Sequence, residues 1–300
     1  MFKINNQQFT YAQNYKDDQH LRHSLNALTQ SIYGFNFEQW YQDGYWRDRY
    51  VPHSLLHENT IVANASVSMI DFDLMGQRRK YIQIGTVMTA PEYRKMGLSR
   101  FLMEKIMAAW KDKCDMIYLF ANSSVLSFYP RFGFEKAFEF QLSKDVAGKT
   151  SEASVIAMQK VDMEDGRNRL LLTEKVKQAK SLASLAMTDN PGLIMFYLTS
   201  FMKDNVYYLA EYDTYVIFEM DGDVVYLCDV FGGEDITFDE IIGCITARET
   251  KTVILGFTPK HEHDFRKEKR QGENDVLFVY GNDARRFTES EVMFPMLSHT

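Results

Sequence analysis

The sequence is poor in cysteine, in uninterrupted apolar stretches and in positive charge. Its three cysteines, Cys114, Cys228 and Cys244, form no CxxC pair and have no histidine nearby at ligand spacing. A disulfide framework is excluded, and three small buried residues in a reducing compartment are expected. The most apolar longer stretch, Ser184 to Met202, is broken by Asp189, Asn190, Pro191 and Gly192, so no membrane span is expected. Met1 to Asn6 shows no charged-then-apolar leader pattern. A cytoplasmic protein with no membrane partner follows as the expectation. Lys and Arg number 34 against 41 Asp and Glu, a net charge of −7. Broad nucleic-acid binding needs basic patches against phosphate, so nucleic acid is not an expected partner.

What is present suits a folded chain. Hydrophobic residues make up 45% of 300 residues and charged residues 25%, enough for one large or two moderate domains. Leu21, Leu25, Leu28 and Ile32 form one helical stripe, with Asp17 and Asp18 near its positive end and Gly34 to stop it. The aromatic-rich stretch from Tyr33 to Tyr50 reads as a second, shorter helix broken near Gly44. Period two from Thr60 to Phe72, a turn at Gly76 and an apolar run from Tyr81 to Met88 predict a hairpin. Leu98, Phe101, Leu102, Ile106 and Trp110 give a helix. A strand at Met116–Phe120, a short helix at Val125–Phe132 and a strand at Phe134–Leu142 follow. This alternation predicts a mixed α+β domain, a central mixed sheet flanked by helices, over residues 1–143.

Residues 144–166 turn polar and read as a connector with one strand at Ser154–Met158. Residues 167–300 read as a second, smaller α/β domain. Its helices are expected at Leu172–Met187, Pro191–Lys203 and Phe238–Ala247. Its strands are expected at Tyr207–Glu211, Tyr215–Met220, Val224–Val230, Val253–Phe257 and Val276–Tyr280. Asp221-Gly222-Asp223 is a hairpin turn, and the charged run His261–Arg270 a solvated loop.

The chemistry concentrates between Val87 and Phe134. Val87-Met88-Thr89-Ala90-Pro91-Glu92-Tyr93-Arg94-Lys95-Met96-Gly97-Leu98-Ser99-Arg100 runs from a strand through a turn into a helix. A helix start presents free N–H groups and a positive dipole end to an anion. Small residues at Gly97 and Ser99 let backbone approach a diphosphate, and Arg94, Lys95 and Arg100 add positive charge. On these residues alone the turn is either a phosphate site or an ordinary strand–helix connection. No residue stands out as a base: Asp71 and Asp73 share a strand face and read as a solvated edge or an attraction for a cationic amine, and His53 and His57 stand four apart without a third ligand, so no metal is expected.

Arg94-x-x-Gly97-x-Ser99 resembles the acetyl-CoA loop of the GNAT N-acetyltransferase superfamily, with serine at its last small position. Asn122, Tyr129 and Gly133-Phe134 recur at that family's spacing, seven and then four residues apart. The resemblance covers about residues 1–142 and implies a GNAT acyl-CoA N-acyltransferase fold with acetyl-CoA as cosubstrate and a primary amine as acceptor. It implies that backbone groups from Val87 through Met88 to Thr89 hold the pantetheine arm. Amides of Lys95, Met96, Gly97, Leu98, Ser99 and Arg100 would wrap the diphosphate. Asn122 would bond the pantetheine, and Tyr129 would protonate the departing thiolate. Gln83 and Thr86 stand where some relatives place a basic glutamate. A longer aminoglycoside-modifying family has a similar loop context from Gly85 to Arg94, but usually with an additional domain.

The second half lacks both motifs yet repeats the element order of the first, which resembles a degenerate GNAT-like domain with a structural, pocket-forming or homodimerising role. Three functions stay open: transfer to a small amine, transfer to a protein amine, or acetyl-CoA sensing without catalysis.

Overall fold

The computed structural model describes residues 2–4, 6–146, 158–232, 236–262, 264–270 and 275–299. Strands β1 (Phe2–Ile4) and β2 (Gln7–Gln13) lead into helix α1 (Gln19–Tyr33). Asp18 caps α1 by accepting from the Leu21 amide, and Gly34 ends it in a left-handed conformation. After the short α2 (Glu38–Gln42), strands β3 (Tyr50–His57), β4 (Thr60–Leu74) and β5 (Gln77–Thr89) form an antiparallel meander. Helix α3 (Leu98–Trp110) crosses over to β6 (Met116–Ala121), which lies parallel to β5. One face of this sheet packs on α3 through Leu98, Leu102 and Ile106. The other face packs on Leu25 and Leu28 of α1 and Trp40 of α2.

Two short strands follow, β7 (Glu135–Lys136) and β8 (Phe140–Asp145), then β9 (Met158–Lys160), α4 (Gly166–Gln178), β10 (Leu185–Thr188) and α5 (Pro191–Thr199). A second meander runs through β11 (Val206–Leu209), β12 (Thr214–Asp221) and β13 (Val224–Phe231). Helix α6 (Phe238–Ile245) crosses over to β14 (Thr252–Leu255), parallel to β13. Strand β15 (Arg266–Lys269), strand β16 (Val276–Tyr280) and helix α7 (Ala284–Ser290) complete the order.

The two sheets repeat one plan and exchange one strand. In the first sheet the order beyond β5 is β6, β16, β7; in the second, beyond β13, it is β14, β8, β15. The strand that follows β7 in sequence fills the second sheet, and the strand that follows β15 fills the first. The sheets therefore do not divide at the polar stretch 144–166. Val276–Tyr280, expected in a separate C-terminal unit, lies between β6 and β7 of the first sheet. The strand expected at Phe134–Leu142 is two strands in two sheets, because Ala137 and Glu139 turn inward to be buried where the chain crosses over.

Other expectations change locally. Tyr50, expected at the end of an aromatic helix, instead begins strand β3, which runs on through Pro52 to His57. The helix expected to run from Leu172 to Met187 ends at Gln178, and Leu185–Thr188 instead pairs with β4. Ser123–Val125 and Tyr129–Phe132 are separate single turns rather than one helix. Inside the expected loop His261–Arg270, Arg266–Lys269 forms the charged edge of the second sheet, a composition that discourages further pairing. Most of the strand expected at Ser154–Met158 lies outside the described residues.

Candidate active site

The site begins where β5 and β6 part. They pair only from Tyr81–Gln83 to Met116–Tyr118, so Ile84 to Thr89 and Leu119 to Ala121 diverge and leave a gap in the sheet. A bulge in β5 sharpens the gap. Asn64 pairs with Met88 and Ser66 with Gly85, so Thr86 and Val87 together oppose Ala65. Thr86 takes a left-handed φ of 49°. Buried Asn64 holds this conformation: its Nδ2 donates to Thr86 O at 3.0 Å and to Ser66 Oγ at 2.9 Å, while its Oδ1 accepts from Ser54 Oγ at 2.8 Å. Tyr50 OH reaches Thr86 Oγ1 at 2.9 Å from the next strand but one.

A cavity of about 530 Å³ fills the gap and continues on both faces of the sheet. On the α3 face it is lined by Ser99, Val125, Phe128 and Tyr129; on the other by Phe35, Phe37, Trp40, Tyr50, Phe120, Leu193 and Phe196. Val87, Ser99, Asn122 and Tyr129, all expected from sequence, meet here. Leu193 and Phe196 on α5 were not anticipated. Their signal is the run Leu193-Ile194-Met195-Phe196, apolar on every side and therefore buried on several faces. Helix α5 sits close because Gly192 has no side chain: a Cβ there would lie 2.5 Å from Tyr45 O. Trp40 Nε1 donates to Gly192 O at 2.8 Å and fixes the approach.

The loop expected to cradle a diphosphate leads into α3. Lys95 (φ 64°) and Gly97 (φ 88°) are left-handed, and Gly97 is the N-cap of α3. The first-turn amides that follow it have no carbonyl one turn earlier to bond. Leu98 is buried in the core, so only its backbone faces the loop. Thr89 Oγ1 meets Ser99 Oγ at 3.0 Å, and Arg94 Nε donates to Thr89 O at 3.3 Å, tying loop to strand. Lys95 is exposed, Met96 packs on the α3-side core, and Arg100 is ion-paired to Glu104 one turn along. Met88 is buried on the opposite face, so its side chain is core. Val87 O, on the divergent side of β5, accepts from Tyr33 OH at 3.0 Å.

Tyr129 is 5% exposed, held against Phe134 and against Phe278 of β16. Its hydroxyl has no hydrogen-bond partner among the described residues, and burial, with Tyr33 adding a smaller effect, pushes it up to about 12. Asn122 Oδ1 accepts from the Ser124 amide at 3.1 Å, capping the following turn.

The other candidates lie elsewhere. Asp71 pairs with Arg49 at 2.8 Å, and Asp73 accepts from the Gly76 amide at 2.6 Å. His53 and His57 lie on a strand, their Nδ1 atoms facing Tyr11 OH and Tyr93 OH. Gln83 is fully buried beside Tyr118 and does not line the cavity. His299 stacks on the back of Phe120 at 4.0 Å, its imidazole kept neutral by burial. No group of three or more His, Cys, Asp or Glu is gathered as metal ligands among the described residues. No described helix is long and apolar enough to cross a membrane.

Residues 7–137 match the family model described as an acetyltransferase (GNAT) domain. Solved structures place the whole chain in the GNAT acyl-CoA N-acyltransferase fold. It is similar to a conserved protein of unknown function from Enterococcus faecalis, described as a probable N-acyltransferase (14% identity, TM-score 0.63, 93% of this chain and 74% of that one). It is similar to Eis1 from Mycobacterium abscessus (12% identity, TM-score 0.59, 92% and 74%). A GCN5-related N-acetyltransferase from Kribbella flavida is also similar (16% identity, TM-score 0.56, 91% and 70%). No curated protein sequence matches the chain.

Proposed function

We propose that the protein is an N-acetyltransferase that moves the acetyl group of acetyl-CoA to the primary amine of a small molecule, with Tyr129 as general acid. The observation that carries this reading is the unpartnered Tyr129 hydroxyl in the cavity at the point where β5 and β6 part. The unpaired β6-facing edge of β5 around Val87 and Thr89 receives the pantetheine amides as an added strand. The amides from Lys95 to Arg100 hold the diphosphate, and Asn122 donates to the pantetheine. Acetyl-CoA supplies the acyl thioester. The neutral amine attacks its carbonyl carbon from the side of Tyr50 and Phe120. As the carbon–sulfur bond breaks, Tyr129 gives its proton to the sulfur. It regains one from the nitrogen, which becomes an amide.

A phenol at about 12 is a weak donor to a thiolate whose acid has pKa ~8.5, so its hydrogen bond to the sulfur strengthens as charge arrives there, and the proton crosses as the adduct's nitrogen returns one to the phenol oxygen. Enclosure of the acceptor side by α5 and the segment 35–40 favours a small molecule over a protein lysine.

The test is thiol release from acetyl-CoA across a panel of amines, with wild type and Tyr129→Phe. The variant is expected to lose roughly 100-fold or more in kcat while binding acetyl-CoA as before. Full activity in Tyr129→Phe on a good acceptor removes the general-acid assignment. Binding of acetyl-CoA with no turnover on any amine favours a sensor.

A further inference from the structure

The cavity that holds the reacting groups has an unusual wall for an enzyme acting on amines. Nine of its twenty lining residues are aromatic, and none carries a formal charge. On the acceptor face, Phe35, Phe37, Trp40, Tyr50, Phe120 and Phe196 surround the space, with Leu193 the aliphatic member. Phe35, Phe37, Trp40, Tyr50 and Phe196 hold one another at centroid distances of 5.2 to 6.1 Å, as in Phe37–Tyr50, Trp40–Phe196 and Phe35–Phe196, while Phe120 is backed by Phe294 and His299, so the wall is well packed. Asp48 and Asp189 line a separate cleft that Trp40, Tyr50 and Leu193 also border, with Asp48 paired to Lys16 at 3.0 Å, and Glu38, next to Phe37, is paired to Arg22 at 2.9 Å. The basic side chains of the site, Arg94, Lys95 and Arg100, are exposed on the loop at the cofactor side.

A wall of this kind selects by what it cannot do. Each ammonium brought into it loses hydration and finds no carboxylate in return. Ring faces offer a single cation a modest attraction, which does not multiply for a polycation that needs several partners at once. An apolar body, by contrast, gains by leaving water for ring surfaces, and an aromatic one adds edge and face contacts. The chamber opens to solvent beside Tyr33, 47% exposed, and Phe201, 55% exposed against Phe35 and Phe196. An opening on the side away from α3 suits entry of a second substrate better than storage of a long acyl tail.

Resting on the acetyltransfer reading, we propose that the acceptor is a monoamine with an aromatic or otherwise apolar body, of the arylalkylamine class, and not a polyamine or an aminoglycoside. Its body lies among Phe37, Trp40 and Phe196, and its nitrogen points through the gap toward Tyr129.

The experiment measures kcat/KM with acetyl-CoA for 2-phenylethylamine and tryptamine against spermidine and kanamycin, with octanoyl-CoA as a second donor. The arylalkylamines are expected to exceed both polycations at least 100-fold. Phe35→Asp, at the partly exposed mouth, is expected to cut that ratio at least tenfold with the Kd for acetyl-CoA unchanged. Leu193→Trp, which fills the chamber, is expected to raise KM for 2-phenylethylamine at least tenfold, again with acetyl-CoA binding intact. Polycations accepted as well as or better than arylalkylamines overturn the inference and leave the acetyltransfer reading standing. Preference for octanoyl-CoA over acetyl-CoA, lost in Leu193→Trp, assigns the chamber to the acyl chain and also overturns it. Acetyl-CoA binding without turnover on any of the four amines removes the acetyltransfer reading and the inference with it.

Discussion

At the scale of single residues, the proton inventory of the cavity decides the pH behaviour. Three phenols line the cavity, Tyr33, Tyr50 and Tyr129, all raised by burial, and that of Tyr129, the proposed acid, lies at about 12. A raised phenol keeps its proton at every pH below that value, so the acid form is fully present through the neutral range and is lost only in strong alkali. The cavity lining holds no carboxylate or imidazole to take the amine's proton. The acceptor must then arrive neutral, and kcat/KM should rise with pH until it reaches the pKa of the acceptor itself. Two acceptors whose amines differ by two pH units should give profiles displaced by about the same interval. An inflection between pH 5 and 8 that stays put when the acceptor changes would show that a side chain acts as base.

At the scale of elements, the bulge in β5 links folding to binding. Asn64 is fully buried and spends its amide on the bulge and on two serine hydroxyls. Asn64→Leu keeps the branched shape but takes the amide donor from Thr86 O and Ser66 Oγ and leaves Ser54 Oγ with Tyr15 OH alone, at a cost of about 2–3 kcal/mol in unfolding free energy. The displaced Val87 backbone should weaken acetyl-CoA binding at least tenfold. Denaturant unfolding and calorimetry measure the two effects; a stability loss with unchanged affinity would detach the bulge from the binding groove. Tyr33 tests the same groove from the other side. Its hydroxyl donates to Val87 O, which the proposed pantetheine arm would use, so Tyr33→Phe should tighten acetyl-CoA binding by up to about fivefold, the worth of about 1 kcal/mol. Weaker binding in this variant would mean that Tyr33 contacts the cosubstrate instead.

Elements with a strong local signal were readable from sequence, and so was part of the lining of the cavity. Asp18 and Gly34 bracket α1 as expected, and the spacing of Asn122, Tyr129 and Gly133 brings Asn122 and Tyr129 to one cavity beside Val87 and Ser99. What the sequence hides is set by distant partners. Leu185–Thr188 continues a helical-looking apolar pattern but is a strand because Asp71–Leu74 of β4 offers it an edge. Leu193 and Phe196 reach the cavity only because Gly192 lets α5 approach Tyr45.

The whole molecule is where sequence order misleads most. Val276–Tyr280 looks like the last strand of a second unit, yet its five residues pair with Ile117–Ala121 and close the sheet that carries the site. Phe278 on this strand also packs against Tyr129, so the strand supports the proposed acid directly. In return Phe140–Asp145 leaves the first half to pair with β14 and β15. Each half thus lacks a strand that it needs and carries one that the other needs. A cut between residues 146 and 147 makes this testable. Residues 1–146 alone hold both motifs but expose the bare edge of β6 and lose Leu277, Phe278, Phe287 and Phe294 from their cores. That fragment should show no cooperative melting and no acetyl-CoA binding, as should residues 147–300 alone. Co-expressed, the two should form a one-to-one complex that binds acetyl-CoA, because the exchanged strands restore both sheets at once. Calorimetry and gel filtration read the outcome. A fragment 1–146 that melts cooperatively and binds acetyl-CoA with native affinity would show that β16 merely decorates the first sheet, and that the unit recognisable in the sequence is also the unit that folds.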